Sequence, residues 1–65
     1  MTIDEIQERL CKIRTMKDDE EAAHGCEDDL YLDVLTAIAN GADNPRELAA
    51  LAIVSKKIDF ARWYA

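Results

Sequence analysis

The sequence is poor in residues that interrupt helices and in residues that build disulfide-rich scaffolds. Its 65 residues include one proline, two glycines, two cysteines and one histidine. Two cysteines are too few for a disulfide framework, and we expect both to be reduced thiols. No apolar run approaches the roughly 18 residues of a membrane span, and the first residues lack the basic and apolar regions of a signal peptide. We therefore expect a cytoplasmic protein that does not associate with membranes.

The length sets a second limit. A chain of 65 residues and 7.3 kDa makes one small domain, residues 1–65, without room for a cofactor-binding fold or a two-domain catalytic cleft. We therefore expect neither enzymatic activity nor a cofactor. A hydrophobic content of 49% is typical of a globular protein, although a charged fraction of 34% is high for that class.

Apolar residues near the N-terminus recur at intervals of three and four. Ile3, Ile6, Leu10 and Ile13 fall on one stripe of a helix, which we predict over about residues 3–16. Thr2 followed three residues later by Glu5 forms a capping box in the sequence, a signal of a helix start.

A second helix is predicted from Asp18 or Asp19 to the Asn40-Gly41 pair, whose residue types favour a helix C-cap. Glycine costs roughly 1 kcal/mol in a helix interior, so the helix either runs continuously through Gly25 or begins after it; we favour the continuous helix. The predicted core positions recur on one face: Ala23, Cys26, Leu30, Val34 and Ala37.

A third helix is predicted over about residues 45–56, with Asn44 as N-cap and Pro45 in the first turn. The tail from residue 57 is predicted to form one further short turn, with Asp59 as a possible cap. The expected fold is all-α, a compact three-helix arrangement with a short C-terminal aromatic turn or helix. Trp63 and Tyr64 either close this core, which we favour, or form an exposed binding anchor.

Charge is distributed unevenly along the chain. Residues 1–44 hold four basic and twelve acidic side chains, a net charge of −8, whereas residues 45–65 hold four basic and two acidic ones, a net charge of +2. This acidity is either a solvated, solubilising face or a surface that binds a basic partner, steered by its charge. The candidate partner-binding residues are the two acidic runs: Asp18, Asp19, Glu20, Glu21, Glu27, Asp28 and Asp29.

His24 lies among these acids and within two residues of Cys26. Residues two apart point to different sides of a helix, so the pair converges on neither a metal ion nor a nucleophilic site, and we expect no metal. We interpret His24 as a charge-paired histidine. Cys11 and Cys26 are either two buried free thiols, which we favour, or close enough to form a bond if the first two helices make an antiparallel hairpin.

The C-terminal segment offers a competing interpretation. Glu47-Leu48-Ala49, Val54-Ser55 and Arg62-Trp63 are spaced as in part of a helix-turn-helix DNA-binding motif, although Ile53 stands where a glycine is expected. The DNA contacts would come from the basic side chains of this segment: Lys56, Lys57 and Arg62. A third interpretation is an assembly role through an apolar homodimer face.

Several short motifs carry a family resemblance over about residues 20–65. They are Ala23-His24, Glu27-Asp28 with Leu30, Val34-Leu35, Ile38-Ala39, Ile58-Asp59-Phe60 and Arg62-Trp63-Tyr64-Ala65. This pattern resembles small helical proteins encoded by bacteriophages and prophages. The resemblance implies a phage or prophage origin, hence the host cytoplasm, and supplies no catalytic residues. Small acidic phage proteins often block host machinery, as anti-CRISPR and anti-restriction inhibitors do. By analogy, the acidic surface is predicted to bind a basic host protein that handles nucleic acid.

Overall fold

The computed structural model describes residues 1–62 as one packed arrangement of helices. It contains three α-helices, α1 (Ile3–Thr15), α2 (Glu20–Ala39) and α3 (Pro45–Ile53), followed by a short 3₁₀ helix, η1 (Val54–Lys57). No strand occurs within these 62 residues. The three-helix, all-α prediction is confirmed.

α1 begins at the capping box that the sequence indicates. The Glu5 backbone N–H donates to Thr2 Oγ1 at 3.2 Å, and the Thr2 N–H donates to Glu5 Oε1 at 3.1 Å. Its buried stripe is Ile6, Leu10 and Ile13, whereas Ile3 is only half-buried at the edge of the core.

α2 runs without interruption through Gly25, as predicted. Asp19 is its N-cap and accepts a hydrogen bond from the Ala22 N–H. At the other end Gly41 has φ +87°, and the N–H groups of Gly41 and Ala42 donate to the carbonyls of Ile38 and Ala37. These two bonds form a Schellman C-cap, which satisfies carbonyls that the helix itself leaves free.

α3 is shorter than predicted. The α-helical hydrogen bonds end at Ile53, and the chain tightens into η1 instead of continuing as α-helix to residue 56. Asn44 occupies the N-cap position, but its side chain makes no capping hydrogen bond.

The tail folds back onto the helices without forming another one. Residues 58–62 contain no helix, so Asp59 caps nothing there, and the expected C-terminal turn is displaced to η1. Ile58 and Phe60 are buried, and they complete a core to which each of the three α-helices contributes. The predicted roles of Trp63 and Tyr64 fall outside the described residues. The buried apolar core consists of Ile6, Leu10, Ile13, Ala23, Leu30, Val34, Leu48, Ala52, Ile58 and Phe60.

Candidate functional site: an acidic surface around the start of α2

One of the seven candidate acids is not on the surface at all. The Glu27 side chain is 2% exposed and receives three hydrogen bonds. Arg62 Nε lies 2.7 Å from Oε1, Arg62 Nη2 lies 2.9 Å from Oε2, and Ser55 Oγ donates to Oε2 at 2.7 Å. The Tyr31 hydroxyl is in turn hydrogen-bonded to Ser55. The prediction that Glu27 contacts a partner is therefore wrong.

The ion pair keeps both the Glu27 carboxyl and the Arg62 guanidinium ionised. Burial raises the pKa of the Glu27 carboxyl, but the hydrogen bonds from Arg62 and Ser55, together with the positive charges of Arg62 and Lys56, outweigh this effect and hold that pKa below its usual value. The hydrogen bond to Glu27 raises the pKa of Arg62, although burial acts in the opposite direction. Fork-like bidentate geometry of this kind is the strongest form of an arginine–carboxylate contact.

Arg62 also organises the tail around it. Its Nη2 donates to the backbone carbonyls of Ser55 and Ile58, and its Nη1 donates to that of Phe60. The guanidinium carbon lies 3.8 Å from the centre of the Phe60 ring. One side chain therefore joins α2, η1 and the tail, which is an architectural role.

Helical spacing contains the signal that Glu27 is buried. It follows Ala23 by four positions, precedes Leu30 by three and precedes Val34 by seven, so it shares their stripe. Interpreting Glu27, Asp28 and Asp29 as one acidic run hid this difference. Cys26 and Ala37, which we expected in the core, are only half-buried.

Six of the candidate acids are exposed, and we refer to them together as the acidic surface. They occupy the turn before α2 and the first half of that helix. Two of them, Glu21 and Asp28, are seven positions apart and share one side of α2. The members are Asp18, Asp19, Glu20, Glu21, Asp28 and Asp29.

Several residues of the acidic surface also contact other parts of the fold. Asp19 caps α2, and Glu20 Oε2 accepts a hydrogen bond from the Ala61 N–H at 2.7 Å. Asp28 lies 3.8 Å from His24 Nε2, as expected for a histidine placed among acids. Asp29 borders a shallow depression together with Arg9 and Lys12 of α1. The negative charge therefore lies at one end of α2, where hydrogen-bond donors and basic side chains oppose part of it.

The basic side chains are less segregated than the sequence indicates. Arg14 in the last turn of α1 and Lys17 in the turn that follows it line a depression of about 320 Å³ together with Lys57 of η1. The positive charge around this depression therefore comes from residues 1–44 as well as from residues 45–65. Lys56 and Lys57 are exposed.

The helix-turn-helix interpretation lacks its second helix. A recognition helix would have to follow Val54-Ser55, yet residues 54–57 form η1 and residues 58–62 form no helix. Arg62, one of its three expected DNA contacts, is held by Glu27 instead. Residues 1–62 therefore lack the recognition helix that the DNA-binding alternative requires.

The histidine and the two cysteines belong to no disulfide and to no metal-binding group within residues 1–62. Both thiols are free, and Cys11 is exposed rather than buried as we expected, while Cys26 is half-buried. Within residues 1–62, no three side chains of the metal-binding types are grouped so that they could hold an ion. No helix in this part of the chain has both the length and the apolar character needed to cross a bilayer.

Comparison with known proteins adds no assignment. No protein-family model, no curated protein and no solved structure matches this chain.

Proposed function

We propose that this chain is a non-enzymatic, phage-type protein-binding module whose acidic surface occupies a basic groove of a host complex that handles nucleic acid. The carrying observation is the clustering of six exposed carboxylates at one end of α2, on a chain of net charge −6. Carboxylates spaced along a rigid helix can take the place of phosphates in a groove lined by lysine and arginine.

Occupation of such a groove would exclude the nucleic acid and so inhibit the complex. The class of target is a host defence complex, in the manner of anti-CRISPR or anti-restriction inhibitors, and the place of action is the host cytoplasm. The resemblance to phage and prophage proteins supports this context, while the acidic surface supports the mode of binding.

The buried ion pair supports the same proposal indirectly. Arg62 pairs with the buried Glu27, whereas Glu21, Asp28 and Asp29 of the acidic surface are exposed. The long helix α2, capped at both ends, presents Glu21 and Asp28 on a fixed spacing of about two turns, or roughly 10 Å. A preorganised charged surface loses less entropy on binding than a flexible acidic tail does.

The test is a capture experiment from bacterial host lysate with the tagged protein, repeated from about 0.05 to 0.5 M salt. The charge-reversed variant is Glu21→Lys with Asp28→Lys. Its matched control is Glu8→Lys with Glu47→Lys, because Glu47, like Glu21, lies in the first turn of its helix, and all four side chains are exposed. Both variants change the net charge equally, and their helical content is checked by circular dichroism.

The proposal predicts a partner that salt releases, that duplex DNA displaces and that the Glu21→Lys, Asp28→Lys variant no longer captures. The control variant should still capture it. Equal capture by both variants, or a partner that DNA does not displace, would contradict the proposal.

A further inference from the structure

Beside the acidic surface lies an apolar groove between α2 and α3. Its volume is about 410 Å³, and of the eight described residues that line it, seven are apolar or aromatic. Two of these, Leu35 and Ile53, remain 64% and 63% exposed on opposite helices. Exposed aliphatic side chains that flank one apolar groove are more typical of a binding surface than apolar residues scattered singly over a protein. The lining consists of Tyr31, Val34, Leu35, Ile38, Ala49, Ala52, Ile53 and Lys56.

Two residues of the acidic surface, Glu21 and Asp28, lie in line with Leu35, which flanks the groove. Glu21, Asp28 and Leu35 follow one another at intervals of seven residues, which keeps them on the same side of the helix. The distance from Glu21 to Leu35 is about 21 Å along the axis, the length of a helix of roughly 14 residues. Acidic character at one end thus changes to apolar character at the other.

We infer that the α2–α3 groove, together with Glu21 and Asp28, binds an amphipathic helix of a partner protein that is apolar at one end and basic at the other. The small side chains of Ala49 and Ala52 on α3 let a helix approach the groove closely, while Leu35 and Ile53 flank it. A helix laid in a groove in this way places apolar residues at helical spacing against the groove and polar residues along its rim.

Charge complementarity selects a basic partner over a second copy of this chain. A second copy would bring another net charge of −6 to the same surface, whereas lysines on a foreign helix would face Glu21 and Asp28. Among the described residues that line the groove, Lys56 carries the positive charge, and its field also acts on the buried Glu27. Removing the Lys56 charge should therefore strengthen the binding of a basic helix.

This inference rests on the proposed function, because it names the partner chemistry that the acidic surface and its neighbouring groove accept. The probe is a synthetic 18-residue helical peptide with leucines on one stripe of its N-terminal half and lysines in its C-terminal half. A second peptide carries glutamates in place of the lysines. Binding to the full-length protein is measured by calorimetry, and the contact surface is mapped by amide chemical shifts.

The lysine peptide should bind saturably, shift amides of α2 and α3 around Leu35 and Ile53, and bind about tenfold or more tightly than the glutamate peptide. Leu35→Ser or Ile53→Ser should weaken it about tenfold. Leu32→Ser is the matched control, because Leu32 is 63% exposed but does not line the groove, and it should change the affinity less than about twofold. Lys56→Gln should increase the affinity.

The inference is overturned if the lysine peptide does not bind, if both peptides bind equally, or if Leu32→Ser weakens binding as much as Leu35→Ser. It is also overturned if amides around Leu35 and Ile53 shift with protein concentration alone, since a second copy would then be the occupant. In the capture experiment, a partner kept by Leu35→Ser but lost by Glu21→Lys with Asp28→Lys contradicts the groove and leaves the proposed function standing.

Discussion

Arg62 donates hydrogen bonds to both carboxylate oxygens of Glu27, which precedes it by 35 positions in the sequence. These bonds attach the end of the described chain to the middle of α2. Glu27 is buried and Arg62 is half-buried, so removing Arg62 is costly because the Glu27 charge that remains is poorly solvated. The stability of the fold and the orientation of the tail are thus expected to depend on one guanidinium.

Substitution of Arg62 tests this dependence. Arg62→Ala should lower the free energy of unfolding by roughly 3 kcal/mol, because it strands the Glu27 carboxylate in the core. The free energy is measured by urea denaturation followed by circular dichroism. Arg46→Ala, at an exposed arginine of α3, is the matched control and should stay within about 0.5 kcal/mol of the parent. Adding Glu27→Leu to Arg62→Ala should restore part of the loss; a further loss instead would contradict the account.

The same pair predicts how stability varies with pH. The pKa of Glu27 is lower in the folded chain than its usual value of about 4.5. Its contribution to stability is therefore complete above about pH 4.5 and is lost as the pH falls through the folded-state value. The stability advantage of the parent over Glu27→Gln should shrink between about pH 6 and pH 3 in urea denaturation. Glu8→Gln, at an exposed position, should follow the parent; an advantage independent of pH would argue against an ionised Glu27.

The two glycines should respond in opposite directions to alanine. A β-carbon at Gly25 would meet nothing within 4 Å, and the residue lies inside α2, so Gly25→Ala should stabilise the chain by about 0.5 to 1 kcal/mol. Gly41 has φ +87°, a conformation that alanine adopts with strain, so Gly41→Ala should destabilise it by about 1 kcal/mol. Thermal unfolding distinguishes the two. Loss of stability in Gly25→Ala would mean that α2 is interrupted there.

Two substitutions at Asp19 distinguish its role as a helix cap from a role in partner binding. Asp19→Asn keeps a side-chain oxygen for the Ala22 N–H but removes the charge, whereas Asp19→Ala removes both. We expect Asp19→Ala to cost about 1 kcal/mol of unfolding free energy and Asp19→Asn to cost a few tenths. If Asp19 also contacts the partner, both variants should weaken partner capture equally at low salt. Weakened capture in Asp19→Ala alone would assign Asp19 only to the fold.

Local signals in the sequence predicted the three helices, although not the end of α3. The Thr2 and Glu5 capping box, the Asp19 cap and the Asn40-Gly41 stop act through hydrogen bonds within a few residues, so their residue types carry the information. The continuous α2 through Gly25 followed from the apolar stripe on either side of it.

Long-range features were harder to predict. Glu27 can be buried because Arg62 and Ser55, which follow it by 35 and 28 positions, donate hydrogen bonds to it. No local pattern in the sequence predicts those partners. The stripe shared with Ala23 and Leu30 placed Glu27 on the inner side of α2, but an acid there is expected inside only once its counter-charge is known. The change from α3 to η1 likewise leaves Ser55 buried against Glu27, a tertiary requirement.

The central claim is that the acidic surface takes the place of nucleic acid in a basic groove. It is tested most directly by fluorescence anisotropy of labelled duplex DNA bound to the captured partner, with this protein added as competitor. The account predicts stoichiometric release of the DNA by the parent and by the Glu8→Lys, Glu47→Lys control, and no release by Glu21→Lys with Asp28→Lys. DNA that stays bound in the presence of the parent, or that both charge variants release equally, would contradict it.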